Sequence, residues 1–354
     1  MSSEIFAALA QLEKERGIPQ TYMIDKITQA LVAAYKKDKE GYTDNVFVEA
    51  HENGFEMYAQ KEVVEEVFSP ATEILLDTAK GIDKNAAVGD LVNVPIKTQD
   101  FGRIAAQTAK QVIIQGIREA ERGMVYDTFS SKEHEILTGT VLRIEPASGD
   151  ITVRIGSGTD RTEALLSATE QVRGERFTEG DMIRVYVVEV RRSTRGPQVI
   201  VSRTHPYLVK RLFELEVPEI ESGLVEIKSV AREAGSRTKL AVCAKEENID
   251  PVGACVGTKG GRVGAVVEEL HGEKMDIVVW SEEPEKFIAS ALSPSDVVSV
   301  TVLPGSQKAC RVIVPDDQLS LAIGKEGQNA RLAAKLTGYK IDIKPQSKAD
   351  EQAQ

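Results

Sequence analysis

The chain reads as a multidomain α+β protein: a mixed α+β head, a small β-barrel and a duplicated α/β unit. Three observations predict this. Apolar side chains recur at helical spacing over residues 4–39 and 101–129, with strand-like segments between them. At Gly139 the texture changes to short β-like runs punctuated by glycine. Finally, the last third repeats itself. Gly257-Thr258-Lys259-Gly260 and Gly324-Lys325-Glu326-Gly327 are offset by 67 residues (324 minus 257), and each lies between two apolar-periodic helical stretches.

The head begins with a helix over 4–16, stopped by Gly17, and a second over 20–39 with Ile24, Ile27, Leu31 and Ala34 on one face. Val46–Ala50 and Phe55–Ala59 flank Asn53-Gly54, a hairpin signal. Further strand-like pieces lie near 63–68 and 91–96, before a long helix from Phe101 to about Phe129 that presents Ile104, Val112, Ile113, Ile117 and Val125. Five short strands follow, at 139–144, 150–155, 162–166, 182–190 and 198–202, as in a small OB-type barrel. Gly156-Ser157-Gly158-Thr159-Asp160-Arg161 lacks the trailing Gly-Lys-Ser/Thr of a phosphate loop and reads as a hairpin turn.

Thr204–Val217 reads as a helix, 225–234 and 238–244 as a strand pair, and 251–256 and 262–270 as helices around the first loop. A strand at Met275-Asp276-Ile277 follows Gly272. The second unit repeats the order: helix 285–292, strands 297–303 and 308–314, helices 318–323 and 328–336, then Gly338 and the strand Ile341-Asp342-Ile343. Helix, strand, strand, helix, Gly-x-x-Gly, helix, strand is the order of a bacterial, type II KH domain. A single Gly-x-x-Gly is more often a plain turn; two with matching flanks point to tandem KH modules that clamp single-stranded nucleic acid. The glycines let the backbone turn tightly and lie close to a phosphodiester chain. The helix that follows turns its unpaired N–H groups toward phosphate oxygens. The two modules are nearly contiguous and are expected to dock as one rigid unit, and Trp280, after an Ile-Val-Val run, reads as core or module-junction packing rather than a stacking platform.

Net charge is −11, divided as −7 over 1–131, +1 over 132–214 and −5 over 215–354. That excludes a protein coated in basic side chains and requires local, groove-based recognition. The acidic head suits a protein partner with a basic surface. No stretch approaches the ~18 apolar residues of a membrane span. Glu4 and the run Glu13-Lys14-Glu15-Arg16 do not fit a signal peptide, so a reducing cytoplasm is expected. The three cysteines (243, 255, 310) show no CxxC spacing and the four histidines are scattered, so neither metal nor cofactor is expected. The scattered acidic residues form no convergent set for catalysis, which argues against an enzyme.

Candidate RNA contacts are Gly257, Thr258, Lys259, Gly260 and Arg262 in the first unit, and Gly324, Lys325, Glu326, Gly327, Gln328, Asn329 and Arg331 in the second. The arginines of the last two barrel strands (Arg184, Arg191, Arg192, Arg195, Arg203) form a second group; of these Arg184, Arg192 and Arg203 are taken as RNA contacts. The competing reading for all of them is ordinary surface charge, and for Gln328 and Asn329 a helix cap. Only Phe177 and Tyr186 fall within the barrel, so base stacking there would contribute little.

Several local motifs are specific. They are Asp100-Phe101-Gly102-Arg103-Ile104-Ala105, Val201-Ser202-Arg203-Thr204-His205-Pro206, Val230-Ala231-Arg232-Glu233-Ala234-Gly235-Ser236-Arg237, Asp250-Pro251-Val252-Gly253-Ala254-Cys255-Val256-Gly257 and Ala322–Ala333. With the domain order, they make the chain resemble the bacterial NusA family of transcription factors, from residue 1 to about 345. The resemblance is to a short form without C-terminal acidic repeats, whose properties are therefore not carried over. It implies an RNA polymerase-binding head over 1–132 that docks at the flap near the RNA exit channel. It further implies an S1-type OB-fold barrel over 133–203, KH domains over 204–283 and 284–346, and a flexible tail over 347–354. A monomer that holds emerging single-stranded RNA, promotes pausing and intrinsic termination, and joins other Nus factors in antitermination is the implied function. The alternative is an RNA-processing or ribosome-assembly protein that uses the same RNA modules, from which binding of core polymerase by the head would distinguish it.

Overall fold

The computed structural model describes residues 2–38, 44–51, 54–96, 102–193, 196–305 and 308–350. Asp100, Phe101, Asn53 and Arg195, named above, lie outside them. The chain parts into two compact units, 1–124 and 125–354.

In the first unit, α1 (Ser2–Arg16) and α2 (Gln20–Asp38) bury Leu9, Met23, Ile27 and Leu31 against Val46, Val48, Met57 and Ala59. Those four belong to β1 (Val46–His51) and β2 (Gly54–Val64), whose alternating side chains turn one face inward. β1 and β2 pair antiparallel, with His51 opposite Gly54. Two short elements went unread in the sequence, β3 (Glu73–Leu75) and α3 (Leu76–Lys80). β4 (Leu91–Pro95) pairs with β2, and the strand expected at 63–68 is only the end of β2 followed by a turn. The helix α4 (Gly102–Ser130) closes the head sequence.

The end of α4 belongs to the barrel. Phe129 is fully buried among barrel residues, with Val125 and Tyr126 packed beside it. The division expected at 132 therefore falls about eight residues earlier, because an apolar helix end covers the barrel core. β5 (Ile136–Ile144), β6 (Ile151–Ile155), β7 (Thr162–Leu166), β8 (Met182–Arg191) and β9 (Gln198–Ser202) close in the order β5-β6-β7-β9-β8. Val141, Val153, Ile155, Leu166, Val185, Val187, Val199 and Val201 fill the interior.

The first KH module comprises α5 (Pro206–Glu216), the short α6 (Pro218–Glu221), β10 (Val225–Glu233), β11 (Arg237–Ala244), α7 (Pro251–Val256), α8 (Gly261–Glu269) and β12 (Lys274–Val279). The second comprises α9 (Pro284–Ala291), β13 (Ser299–Val302), β14 (Ala309–Val314), α10 (Leu319–Ile323), α11 (Gln328–Thr337) and β15 (Lys340–Pro345). Each sheet pairs its first two strands antiparallel and its last two parallel. The expected tail opens as a short helix, α12 (Gln346–Asp350), with the Ser347 amide donating to Asp316 Oδ1 at 3.1 Å.

The two modules stack as alternating layers. One face of the first sheet packs Leu240 and Val242 onto Leu208, Leu212, Cys255 and Val266 of α5, α7 and α8. Its other face packs Ala231, Ala241 and Val278 onto Ile288, Leu292, Leu332 and Ala333 of the second module, in one continuous core. The helices α9 and α11 thus lie between two sheets. Trp280 packs at this junction, edge-on to Phe287 with centroids 6.5 Å apart.

Buried charges fix the joints. Arg203 is 1% exposed and holds Glu175 through two bonds of 2.6 Å, while also donating to the carbonyls of Arg184 and Glu269. Arg232 joins Glu273 and the carbonyls of Arg203 and His205, tying barrel exit to sheet. Lys239 donates to Asp276 and to the Ser293 carbonyl of the second module at 2.7 Å. Burial draws the Lys239 ammonium below its ordinary value, with Asp276 opposing it. Burial alone would raise Asp276, but Arg237 and Lys239 hold its carboxyl low.

Candidate nucleic-acid interface

The two loops are built alike to within a few degrees. Gly257 and Gly324 have φ/ψ of 73/175° and 77/172°, a region open essentially to glycine alone. A single 3-10 turn follows, in which Lys259 and Glu326 take left-handed φ of 55° and 53°. Gly260 and Gly327, at φ 76° and 75°, then open α8 and α11. Thr258, Lys259, Lys325 and Glu326 are all exposed. Each loop therefore offers bare backbone to solvent at the start of a helix, the arrangement that receives a phosphate chain.

The two loops differ in where their charged residues fall. Register pairs Thr258 with Lys325 and Lys259 with Glu326. The lysine stands third in the first loop and second in the second, where an acid takes the left-handed position. Beside the second loop, Leu321 and Ile323 of α10 are 44% and 38% exposed, apolar surface that suits the face of a base.

The flanking polar residues are differently employed. Asn329 is 2% exposed and donates to the carbonyls of Leu292 and Ala322 at 3.0 and 3.1 Å, so it locks α9 and α10 and is closed to RNA. Arg262 lies over Gly257 and donates to the Ala254 carbonyl and to Glu219, which closes the C-terminal end of α7. Gln328 donates to Glu233 and Ser236 of the first module, at 2.9 and 2.8 Å. Arg331 holds Glu233 at 2.6 Å and the Glu326 carbonyl at 3.1 Å, so it fixes the second loop to the first module while half-exposed. These bonds hold the Glu233 carboxyl below the usual carboxylate range. Glu233 and Ser236 belong to the 230–237 motif of the sequence, but nothing in that motif points to their contact with the second loop.

Arg184, Arg192 and Arg203 stand in three different settings. Arg203 is buried in the joint described above and cannot touch RNA; what looked like strand-edge charge is an internal ion pair. Arg184 faces Glu269 at 3.8 Å on a groove of about 540 Å³ between the barrel and α8. Arg192 lies 4.4 Å above the Tyr126 ring. Tyr186 is buried and stacked on His205 at 4.5 Å, so it offers no stacking platform, while half-buried Phe177 packs beside Arg203 and lines the same groove as Arg184. Among the described residues no helix is long and apolar enough to cross a membrane, and no cluster of His, Cys, Asp and Glu could hold a metal ion.

Comparison with known proteins agrees with this architecture along the whole chain. Residues 4–123 match the NusA N-terminal domain and 130–202 the S1 RNA binding domain. Residues 203–280 and 284–351 match the NusA-like first and second KH domains. The transcription termination/antitermination protein NusA of Halalkalibacterium halodurans is 54% identical over 353 residues, covering 99% of this chain and 90% of that protein. That of Bacillus subtilis is 51% identical over 352 residues, covering 99% and 93%. The solution structure of the N-terminal domain of B. subtilis NusA is 44% identical, with a TM-score of 0.29, covering 34% of this chain and 99% of that one. With its domain series and sequence identity both in place from end to end, the chain belongs to the NusA family of transcription termination/antitermination proteins.

Proposed function

We propose that this chain holds nascent single-stranded RNA in its two loop grooves while its head docks on RNA polymerase near the RNA exit channel. It thereby promotes pausing and intrinsic termination and enters antitermination assemblies with other Nus factors. The observation that carries this reading is the pair of loops with matching glycine geometry, held in one layered unit. Two grooves at a fixed separation read a strand of about eight nucleotides, at about four each. The names of the relatives supply the transcriptional setting.

Loop substitutions in the full chain test the RNA half. Thr258→Asp with Lys259→Asp, combined with Lys325→Asp with Glu326→Asp, keeps all four loop glycines and uses a residue suited to helix starts. RNA affinity is expected to fall more than tenfold, pause enhancement to vanish and polymerase binding to persist. A fragment of residues 125–354, which retains Phe129 in the barrel core, tests the other half. It should keep RNA binding and lose both polymerase binding and pausing. Full pausing by that fragment would defeat the docking assignment, and unchanged RNA affinity in the folded loop variant would defeat the groove assignment.

A further inference from the structure

The repeat places one sheet face in two different situations. In the first module Lys239, opposite Ala231 and Asp276, shares its face with Ala241 and Val278, and this face is covered by α9 and α11. In the second module the same register puts Arg311 opposite Thr301 and Asp342, and Ile313 opposite Ser299 and Lys344. Ala309 pairs with Lys340 on that face too. Where the covered face carries alanine and valine, this one carries threonine, isoleucine and lysine. Ser299, Thr301, Lys340 and Asp342 are exposed, and the Arg311 side chain is 42% exposed. Asp342 sits between Arg311 at 3.6 Å and Lys344 at 3.9 Å, so these two cations share one carboxylate. The Arg311 Nε itself is buried and has no hydrogen-bond partner, so the exposed part of the side chain is the rest of the guanidinium.

We infer that this outer face of β13–β15, carrying Arg311, Lys340 and Lys344, binds the sugar-phosphate backbone of a single RNA strand that continues past the second loop groove. Charge selects the occupant: a net positive face stands on a chain of net charge −11, and a third packing module would have to bury those cations. Geometry supplies the path. β15 is an edge strand, and α10, whose exposed Leu321 and Ile323 flank the second loop, packs against it. A strand lying in that groove needs only to round the β15 edge to reach Lys340 and Lys344. This site gives backbone grip without base recognition, and it lengthens the RNA footprint of the module. The inference rests on the loop grooves binding RNA as proposed above.

The test uses the full chain and two unstructured RNAs, one of about 8 nucleotides, sufficient for both grooves, and one of about 20. Arg311→Glu with Lys344→Glu is expected to weaken the longer RNA at least fivefold and to leave the shorter within twofold. The salt dependence of the longer RNA should become shallower by about 1.4, for two phosphate contacts at about 0.7 each. Asp342→Asn, which removes only the carboxylate, should tighten the longer RNA two- to threefold. Indifference of the longer RNA to both variants, with the shorter still bound, overturns this inference alone. Failure of the wild type to bind either RNA overturns the groove reading as well. A wild-type dimer that the double variant dissociates would assign the face to a second copy and overturn the RNA site.

Discussion

Lys259 and Glu326 occupy left-handed backbone, which costs a residue with a side chain about 1 kcal/mol or more. Asparagine tolerates that conformation better, and at 326 it also removes a negative charge from the loop proposed to take phosphate. Glu326→Asn should therefore raise stability by several tenths of a kcal/mol, seen by chemical denaturation, and tighten RNA as well. A variant that gained stability and lost RNA affinity would show that the carboxylate itself contacts the ligand. His205 offers a second residue-scale test. It caps α5 by accepting from the Tyr207 amide at 3.2 Å, and burial holds its imidazole below the ordinary value, with Glu170 opposing. Its folded value lies below its unfolded one near 6.5, so folding favours the neutral ring. Its contribution to stability is thus complete above pH 6.5 and is lost as pH falls from there through the folded value. His205→Asn keeps a capping acceptor and does not titrate. Between pH 7.5 and 5.5 the wild-type melting temperature should fall more than that of the variant; equal slopes would remove His205 as the cause. Residue roles were the least legible layer in the sequence. Arg203 and Asn329 carry the right chemistry for RNA, but their burial depends on partners such as Glu175, Glu269 and Leu292 that come from distant stretches of chain.

The loops were legible as elements because glycine pairs at fixed spacing leave few conformations open, and the structure gives both copies the same dihedrals. The copies still differ in what a side chain would meet. A Cβ on Gly324 would lie 2.8 Å from the Asn329 Cβ and 2.9 Å from its backbone nitrogen. On Gly257 it would meet the Arg262 Cγ at 2.7 Å, a side-chain atom that can turn away only by giving up the Arg262 bonds to Ala254 and Glu219, whereas at Gly324 the obstacle includes backbone. Both alanine substitutions carry the backbone strain, about 1–3 kcal/mol. Gly324→Ala should cost more by about 1 kcal/mol or above, because Asn329 is locked into two helices. Paired denaturation curves test this, and equal costs would mean that α11 shifts freely. The elements the sequence hid were the short ones: β3, α3 and α6 span three, five and four residues, too few to show a period.

At the scale of the molecule, the question is why the second module packs on the first and what its own outer sheet face is left to do. The register equates Ala241, opposite Val278, with Ile313, opposite Lys344. Ala241 is fully buried under the second module, whereas Ile313 lies on a face with Arg311, Asp342 and Lys344. Small apolar side chains on one face let α9 and α11 approach closely; charged ones on the other would lose their hydration under any such layer. That contrast was readable in the sequence only after the strand register was known, since both stretches look like alternating strands. It yields a paired prediction. Ala241→Lys places an ammonium in the continuous core with no free carboxylate, since Asp276 already holds Arg237 and Lys239. It should cost more than about 3 kcal/mol, and thermal unfolding should split as the second module separates. Ile313→Lys, the same change at the matching position, should cost less than about 1 kcal/mol and leave one transition. It should also strengthen binding of a long RNA if the outer face grips phosphate. Similar losses from the two substitutions would mean that the outer face is packed like the inner one, and the asymmetry that ends the layered stack would have to come from somewhere other than these side chains.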